Sequence, residues 1–249
     1  MGSGLDALLG SKPLIPDHRV EKFCSAQATP GPHPIPRRRQ VANQFHRIFS
    51  IKAGMRVVSC ESPLEADAVI FAEARPEVVS LCEQPLRIQA PVKNRPYYTF
   101  DLRLSFRDGT SILYEIKQSS RLEALLLQPS YWSLVQAWCK ANGERCAVLT
   151  EQEFEAETQR IENWRTLLPF AVRAYESPDP ELEESLLCLI TRASVFSFAG
   201  IFARERHASE EALTAHLAKL LHQGKFTADL STAPVSPATE LHVPETDHA

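Results

Sequence analysis

The sequence shows neither the long apolar runs typical of membrane proteins nor the pattern of a signal peptide. Its 249 residues contain no stretch of about eighteen apolar residues, which is roughly the length needed to cross a bilayer. The first residues also lack the basic, apolar and small-residue order of a signal peptide. We therefore expect a cytoplasmic protein without a membrane partner, whose length allows one large or two small domains.

Common motifs for zinc, disulfides and nucleotides are missing as well. The six cysteines form no C-x-x-C pair and are scattered through apolar segments, which favours buried, reduced thiols. The eight histidines form no H-x-x-x-H pair, so His207, His216 and His222 are expected to be surface residues rather than metal ligands. Without a Walker motif or a glycine-rich dinucleotide loop, any ATP hydrolysis must come from another protein.

Positive charge is concentrated at the N-terminus of a chain whose net charge is −4. Residues 1–60 carry a net charge of +6, and the remainder carries −10. The proline-rich segment 29–36 predicts an extended linker into Arg37, Arg38 and Arg39. Such an arm can lie along DNA phosphates, or it can be a solvated tail. In the first case, Lys52 and Arg56 are expected to bring the DNA further into the protein.

A predicted β-hairpin carries two carboxylates and a lysine. Residues 97–106 and 111–117 are rich in β-branched and aromatic side chains, and a turn containing Gly109 separates them. A three-residue loop, 107–109, with Gly109 in the left-handed conformation would set Asp101 opposite Glu115. Lys117 would share a face with Glu115, because side chains two apart on a strand point the same way.

This combination suits phosphodiester cleavage. A hard cation such as Mg²⁺ binds carboxylate oxygens, offsets charge on the phosphate and activates water. A lysine can stabilise the transition state or help to orient and deprotonate the water. The alternative is an ordinary surface hairpin with a Glu/Lys pair.

Upstream, Glu65 lies in the first turn of a predicted helix that extends to about residue 74. Ser62 is expected to cap it, with Pro63 at the first helical position and Glu65 completing a capping box. Strands are expected at 78–81, near 86–90 and at 146–150, and helices at 120–142 and 152–168. Strands interrupted by helices in this way predict an α/β core with a mixed sheet.

The C-terminal part has a winged-helix pattern. Helices are expected at 181–191, 196–205 and 209–223, followed by two segments, 225–230 and 240–243, that could pair as a wing. Such domains often read DNA with the third helix. Residues 177–249 carry a net charge of −6, however, so we expect protein docking rather than DNA reading.

The order of these motifs resembles the TnsA endonuclease subunit of heteromeric, Tn7-like cut-and-paste transposases. The likeness covers about residues 48–168 and, more loosely, the C-terminal region. It is carried by Ser62-x-Leu64-Glu65, Val78-x-x-x-x-Glu83-Gln84-Pro85, Tyr98-x-x-Asp101, the turn at Gly109, Glu115-x-Lys117, Tyr131-Trp132, the strand 147–150 and Glu162-x-Trp164. Many members of that family have proline before the catalytic aspartate, where this chain has Phe100.

The resemblance implies a restriction-endonuclease-like catalytic domain at 41–175, preceded by the basic arm 1–40. The winged-helix domain would follow at 176–243, with a tail at 244–249. Glu65, Asp101 and Lys117 would be catalytic, and Glu65, Asp101 and Glu115 would hold Mg²⁺, with Mn²⁺ as a substitute. Gln84 would lie near the site, where a role in holding the strand is equally open.

The implied activity is cleavage of the non-transferred (5′) strands at transposon ends. The implied partners are a DDE-type transposase subunit and an AAA+ ATPase regulator, on the nucleoid of a bacterial cell. Two other functions stay open from the residues alone. One is an autonomous restriction-like nuclease, and the other is a non-catalytic scaffold that bridges DNA and proteins.

Overall fold

The computed structural model describes residues 27–32, 45–89, 97–126, 129–193 and 195–244. The predicted DNA contacts Arg37, Arg38 and Arg39 lie outside these residues. In the described part of the chain, no helix is both long enough and apolar enough to span a bilayer.

Strands and helices alternate through the described residues. The strands are β1 Ala28–Pro30, β2 His46–Ser50, β3 Arg56–Cys60, β4 Val78–Glu83, β5 Leu86–Ile88, β6 Tyr98–Thr99, β7 Leu102–Phe106, β8 Ser111–Ile116, β9 Cys146–Leu149, β10 Val195–Ser197 and β11 Glu240–His242. The helices are α1 Pro63–Glu73, α2 Ser119–Leu126, α3 Pro129–Ala141, α4 Glu151–Glu155, α5 Thr158–Glu176, α6 Pro180–Ala193, α7 Phe198–Arg204 and α8 Glu210–His222.

The largest sheet has four strands in the order β4-β7-β8-β9. Its first three strands are antiparallel to their neighbours, whereas β9 runs parallel to β8 after the crossover through α2 and α3. One side packs in the larger apolar cluster through Leu102, Leu104 and Ile116. The other side packs through Leu113 against Trp132 and its neighbours on α3. The predicted mixed α/β architecture, a sheet flanked by helices, is confirmed.

The hairpin between β7 and β8 has the predicted register. Leu102 pairs with Tyr114 and Ser105 with Ser111, so the connecting loop is 107–109. Gly109 has a φ of +82°, a value that glycine adopts without steric cost. One glycine at the turn thus fixes which residues meet at the far end of both strands.

The single strand predicted at 97–106 is wrong, because the chain changes partner in its middle. β6 belongs to a separate three-stranded sheet in the order β1-β5-β6. Phe100 N donates to Leu86 O at 3.4 Å, and the next amide, Asp101 N, donates to Tyr114 O at 3.0 Å. Asp101 therefore lies where the two sheets meet.

Helix α1 begins as its sequence predicts. Ser62 is the N-cap, and its Oγ accepts a hydrogen bond from Glu65 N at 3.2 Å. Pro63 occupies the first helical position, where its missing amide proton costs nothing. The carboxylate of Glu65 accepts from Glu61 N at 2.8 Å, one residue earlier than in a standard capping box.

The C-terminal helices pack directly on the rest of the chain. Helix α8 is buried from Leu213 to His222 apart from the partly exposed Thr214, and it packs mainly against α5. One apolar cluster includes Ile161 of α5 together with Leu217 of α8. The predicted helix at 152–168 is divided into α4 and α5, and α5 continues through Pro169 to Glu176.

The three predicted C-terminal helices are present as α6, α7 and α8, but the two segments after them pair differently from the prediction. Strand β11 pairs with β10, which precedes α7. Between 225–230 and 240–243 the described contact is a single bridge from Thr227 to His242.

Candidate active site

Asp101 and Glu115 meet at the end of the β7-β8 hairpin. Asp101 lies immediately before β7, and its Oδ2 accepts a hydrogen bond from Ile116 N at 2.7 Å. This side-chain contact is made at the position where β7 begins, so the carboxylate is fixed against β8. The hairpin register brings the two acids together, as the sequence predicts.

Lys117 joins both acids. Its Nζ lies 2.7 Å from Glu115 Oε1 and 3.4 Å from Asp101 Oδ2. Burial opposes a charge on this ammonium group, but the carboxylates of Glu115 and Asp101 outweigh burial and raise the pKa of Lys117 above its ordinary value. Lys117 is therefore held in its charged form, which suits an electrostatic role better than that of a neutral base.

Glu115 is the most enclosed of the acids. It is 4% exposed, and its Oε2 accepts a hydrogen bond from the hydroxyl of Tyr98 at 2.6 Å. Burial, reinforced by the charge of Asp101, raises the pKa of Glu115 to about 7, although Lys117 and Tyr98 favour its charged form. Tyr98 stands on β6, so the small sheet contributes directly to the site.

Glu65 reaches the site from the start of α1. Its two oxygens accept hydrogen bonds from Glu61 N and Ser62 Oγ, at 2.8 and 2.9 Å. Burial and the charge of Asp101 raise its pKa to about 7. Glu65 is therefore at once a helix cap and an acid within electrostatic range of Asp101.

The site therefore gathers three acids against one lysine. Among the described residues, no set of three or more His, Cys, Asp or Glu side chains is arranged closely enough to hold a metal ion. The donor chemistry nevertheless fits a hard cation, because carboxylate oxygens are its preferred ligands. Burial is the main cause of the raised pKa values of Glu65 and Glu115, and the charge of Asp101 adds to it. A cation would offset the contribution of Asp101.

Gln84 supports the site through its backbone. It has a φ of +42°, in the left-handed region that non-glycine residues seldom adopt. Its N donates to Asp101 O at 2.9 Å. Gln84 thus holds the segment that carries Asp101, as one of the two predicted roles requires.

Lys52 and Arg56, two side chains predicted to contact DNA, contact other groups of the protein instead. Lys52 is 8% exposed, and its Nζ donates to the carbonyls of Ala72 and Glu73, at 2.8 and 3.1 Å, and to that of Arg75. Burial lowers its pKa to about 8. This placement leaves no donor for a phosphate, so we correct the role of Lys52 to that of a cap on the C-terminal end of α1.

Arg56 makes two contacts with the carboxylate of Glu83, one of them at 2.6 Å between Nη1 and Oε1. About a third of its side chain remains exposed, 34%. A phosphate contact by Arg56 stays a prediction, and it would compete with Glu83.

A buried polar cluster behind α1 was not predicted. Glu73 is 0% exposed and His222 is 5% exposed. His222 Nε2 lies 2.7 Å from Glu73 Oε2, and Nδ1 lies 3.2 Å from the hydroxyl of Tyr175. The carboxylate of Glu73 also accepts from Ser50 Oγ and from Lys52 N.

The expectation that His216 and His222 are surface residues is therefore wrong. His216 is 4% exposed and contacts Glu183 Oε1 at 3.1 Å, whereas His207 is exposed. The one available signal was Glu73 itself, an acid at the end of the apolar run of α1.

Comparison with known proteins adds no assignment, since no family model and no curated protein matches this chain.

Proposed function

We propose that the chain is a Mg²⁺-dependent DNA endonuclease subunit of a TnsA-like transposition system. The observation that carries the proposal is the hairpin register, which joins Asp101, Glu115 and Lys117 in one ion-paired group. An ordinary surface pair would be solvated, whereas Glu115 is buried and the charge of Asp101 also acts on Glu65.

Each residue has a distinct role in the proposed reaction. A bound Mg²⁺ would offset phosphate charge and lower the pKa of the attacking water. Asp101 and Glu115 supply fixed carboxylate oxygens, and Tyr98 orients Glu115 through its hydroxyl group. Lys117 presents a permanent positive charge to the developing negative charge on phosphate. Glu65, with its pKa raised to about 7, can accept a proton near neutral pH.

The sheet supports a restriction-endonuclease-like core as the setting of this site. The antiparallel β4-β7-β8 strands, followed by the parallel β9, place all three hairpin residues at one sheet end. Helix α1 delivers Glu65 to the same end. Gln84 binds the backbone of Asp101, in keeping with the Glu-Gln-Pro motif of the resemblance.

The C-terminal part supports a winged-helix unit that docks on protein. The order α6-β10-α7-α8-β11, with β10 paired to β11, suits that pattern. In a DNA-reading domain the third helix would present an exposed face to the major groove. Helix α8 has almost no exposed face beyond its acidic first turn, Glu210 and Glu211. The proposed role of this unit is therefore to bind a DDE-type transposase or an AAA+ regulator.

A strand-resolved cleavage assay tests this proposal. Transposon-end DNA is incubated with the chain, the partner transposase, the regulator and Mg²⁺, and each strand is labelled separately. Asp101→Ala should abolish cuts at the 5′ strands while leaving the 3′ cuts of the partner unchanged. Unchanged 5′ cutting by this variant would refute the assignment, and partner-independent cutting of naked DNA would favour an autonomous nuclease instead.

A further inference from the structure

The three-stranded sheet β1-β5-β6 leads directly into the candidate site. Arg87 pairs with Thr99 in this sheet. The chain then passes through Phe100 to Asp101, so about 7 Å of strand separates Thr99 from the catalytic candidate. This sheet therefore ends close to Asp101.

One face of the sheet carries a polar row. Thr29, Arg87 and Thr99 are in register across its three strands, and paired residues point to the same face. Their neighbours Ile88 and Tyr98 are buried on the opposite face. We call the row of Thr29, Arg87 and Thr99 the Arg87 face.

Arg87 is a cation without a carboxylate partner. Within the described residues no acid lies in ion-pair distance of Arg87, whereas Arg56 is paired with Glu83 and Arg103 with Glu144. The guanidinium of Arg87 instead lies over the ring of Tyr97, 4.3 Å from its centroid. Stacking of this kind holds the group in place while its charge stays available.

Two polar atoms on this face also lack partners in the described part of the chain. Arg87 Nε and Thr99 Oγ1 are buried and make no hydrogen bond there. Such groups are uncommon in native proteins, because each loses its hydration without compensation. Arg87 and Thr99 are cross-strand neighbours, so the two unsatisfied atoms belong to adjacent side chains.

The surrounding sequence is free of acids. Residues 85–100 contain Arg87, Lys93 and Arg95 and no Asp or Glu. Residues 27–44 contain the arginines at 37–39 and again no acid. Both strands β5 and β1 are therefore followed by a basic segment, in a chain whose net charge is −4. A polyanion is the partner that a sequence of this composition favours.

We propose that the Arg87 face binds the phosphodiester backbone of duplex DNA and leads one strand toward Asp101. The placement beside the active site rests on the proposed nuclease function, whereas the DNA contact itself does not. The guanidinium of Arg87 donates to phosphate, a contact that positions DNA without reading its sequence.

Binding by the full-length chain tests the proposal without any cleavage. Fluorescence anisotropy of a short labelled duplex, without Mg²⁺ and across about 50 to 200 mM salt, compares wild type with Arg87→Gln. We expect the variant to bind roughly three- to tenfold more weakly and to reduce the salt slope by about one. Arg87→Lys should keep the slope, because it keeps the charge.

Arg204→Gln is the matched control. Arg204 also lies over an aromatic ring, that of Phe196 at 4.4 Å, but in the C-terminal part of the chain. This variant should bind DNA as wild type does, and thermal melting of both variants checks that the fold is retained. Equal affinity and slope for wild type and Arg87→Gln, or an equal loss in both variants, would overturn the proposal, as would absence of DNA binding by wild type.

Cleavage with Mg²⁺ and partners, measured on the same samples, separates the two proposals. If the wild type cleaves DNA and Arg87→Gln binds DNA normally, the proposal for the Arg87 face fails and the nuclease proposal stands. A wild type that binds through Arg87 and never cleaves overturns the nuclease and leaves the Arg87 face standing.

Discussion

Replacing Glu73 by alanine should destabilise the whole chain, because Glu73 joins α1 to the C-terminal helix α8. The fully buried carboxylate accepts hydrogen bonds from Ser50 Oγ, Lys52 N and His222. Burial by itself would raise the pKa of Glu73, but the bond to His222 and the other donors lower it below its ordinary value. The carboxylate is therefore charged in the folded protein.

The magnitude follows from what the substitution leaves behind. Three donors lose their acceptor inside the protein, and the buried ammonium of Lys52 loses its nearest compensating charge. Each buried donor left without its acceptor costs about 1 to 3 kcal/mol, so we expect a total loss of about 3 to 5 kcal/mol. For a chain of this size, that corresponds to a fall in Tm of roughly 10 °C.

Urea unfolding at neutral pH provides the measurement, with tryptophan fluorescence as the signal, because Trp164 contacts the His222 ring at a centroid distance of 5.7 Å. Glu77→Ala is the matched control, since this exposed acid has only a 3.7 Å contact with Arg75, and its loss should cost less than about 1 kcal/mol. A cost below about 1 kcal/mol for Glu73→Ala as well would refute the account of the cluster.

Three further predictions follow from single contacts. Burial lowers the pKa of His222 below its ordinary 6.5, so the unfolded chain takes up the proton first, and stability should fall as pH drops below about 6.5. His222→Gln should flatten this loss between about pH 6.5 and 5 in denaturation curves, and an unchanged slope would contradict the assignment. Gly224→Ala should cost more than about 2 kcal/mol, because φ is +71° and the new Cβ would lie 2.8 Å from a proline carbon, whereas Gly143→Ala, at φ +69° in open space, should cost about 1 kcal/mol; equal costs in thermal unfolding would refute the close contact. Tyr98→Phe removes a bond that favours charged Glu115, so the acid limb of the pH–rate profile should move to higher pH, and a limb that stays in place would show that Glu115 does not control it.

Local signals carried most of the predicted site. Gly109 permits one turn geometry, and that turn sets the register that joins Asp101 to Glu115. Ser62 and Pro63 fix the start of α1 for equally local reasons, since both act on the helix backbone beside them. Such features depend on a few adjacent residues, which is why they can be read before any fold is known.

Burial of charged groups was not predictable in the same way. His222 is enclosed by Glu73, which stands 149 positions away, and nothing near either residue indicates the other. Lysine is usually a surface residue, and nothing around Lys52 in the sequence indicates otherwise. In the structure the end of α1 lies over Lys52, and carbonyls of that helix accept hydrogen bonds from its ammonium group. The break near Phe100 also depends on a distant partner, because Leu86 competes with β8 for this stretch.

The most direct test of the candidate active site compares two lysines. Lys117→Ala removes the cation held by Asp101 and Glu115, whereas Lys140→Ala removes an exposed lysine in the last turn of α3. In single-turnover cleavage of transposon-end DNA with Mg²⁺ and partners, Lys117→Ala should slow 5′-strand cutting by at least about a hundredfold, and Lys140→Ala should cut at the wild-type rate. Equal rates in both variants would show that the buried hairpin site does not perform the chemistry.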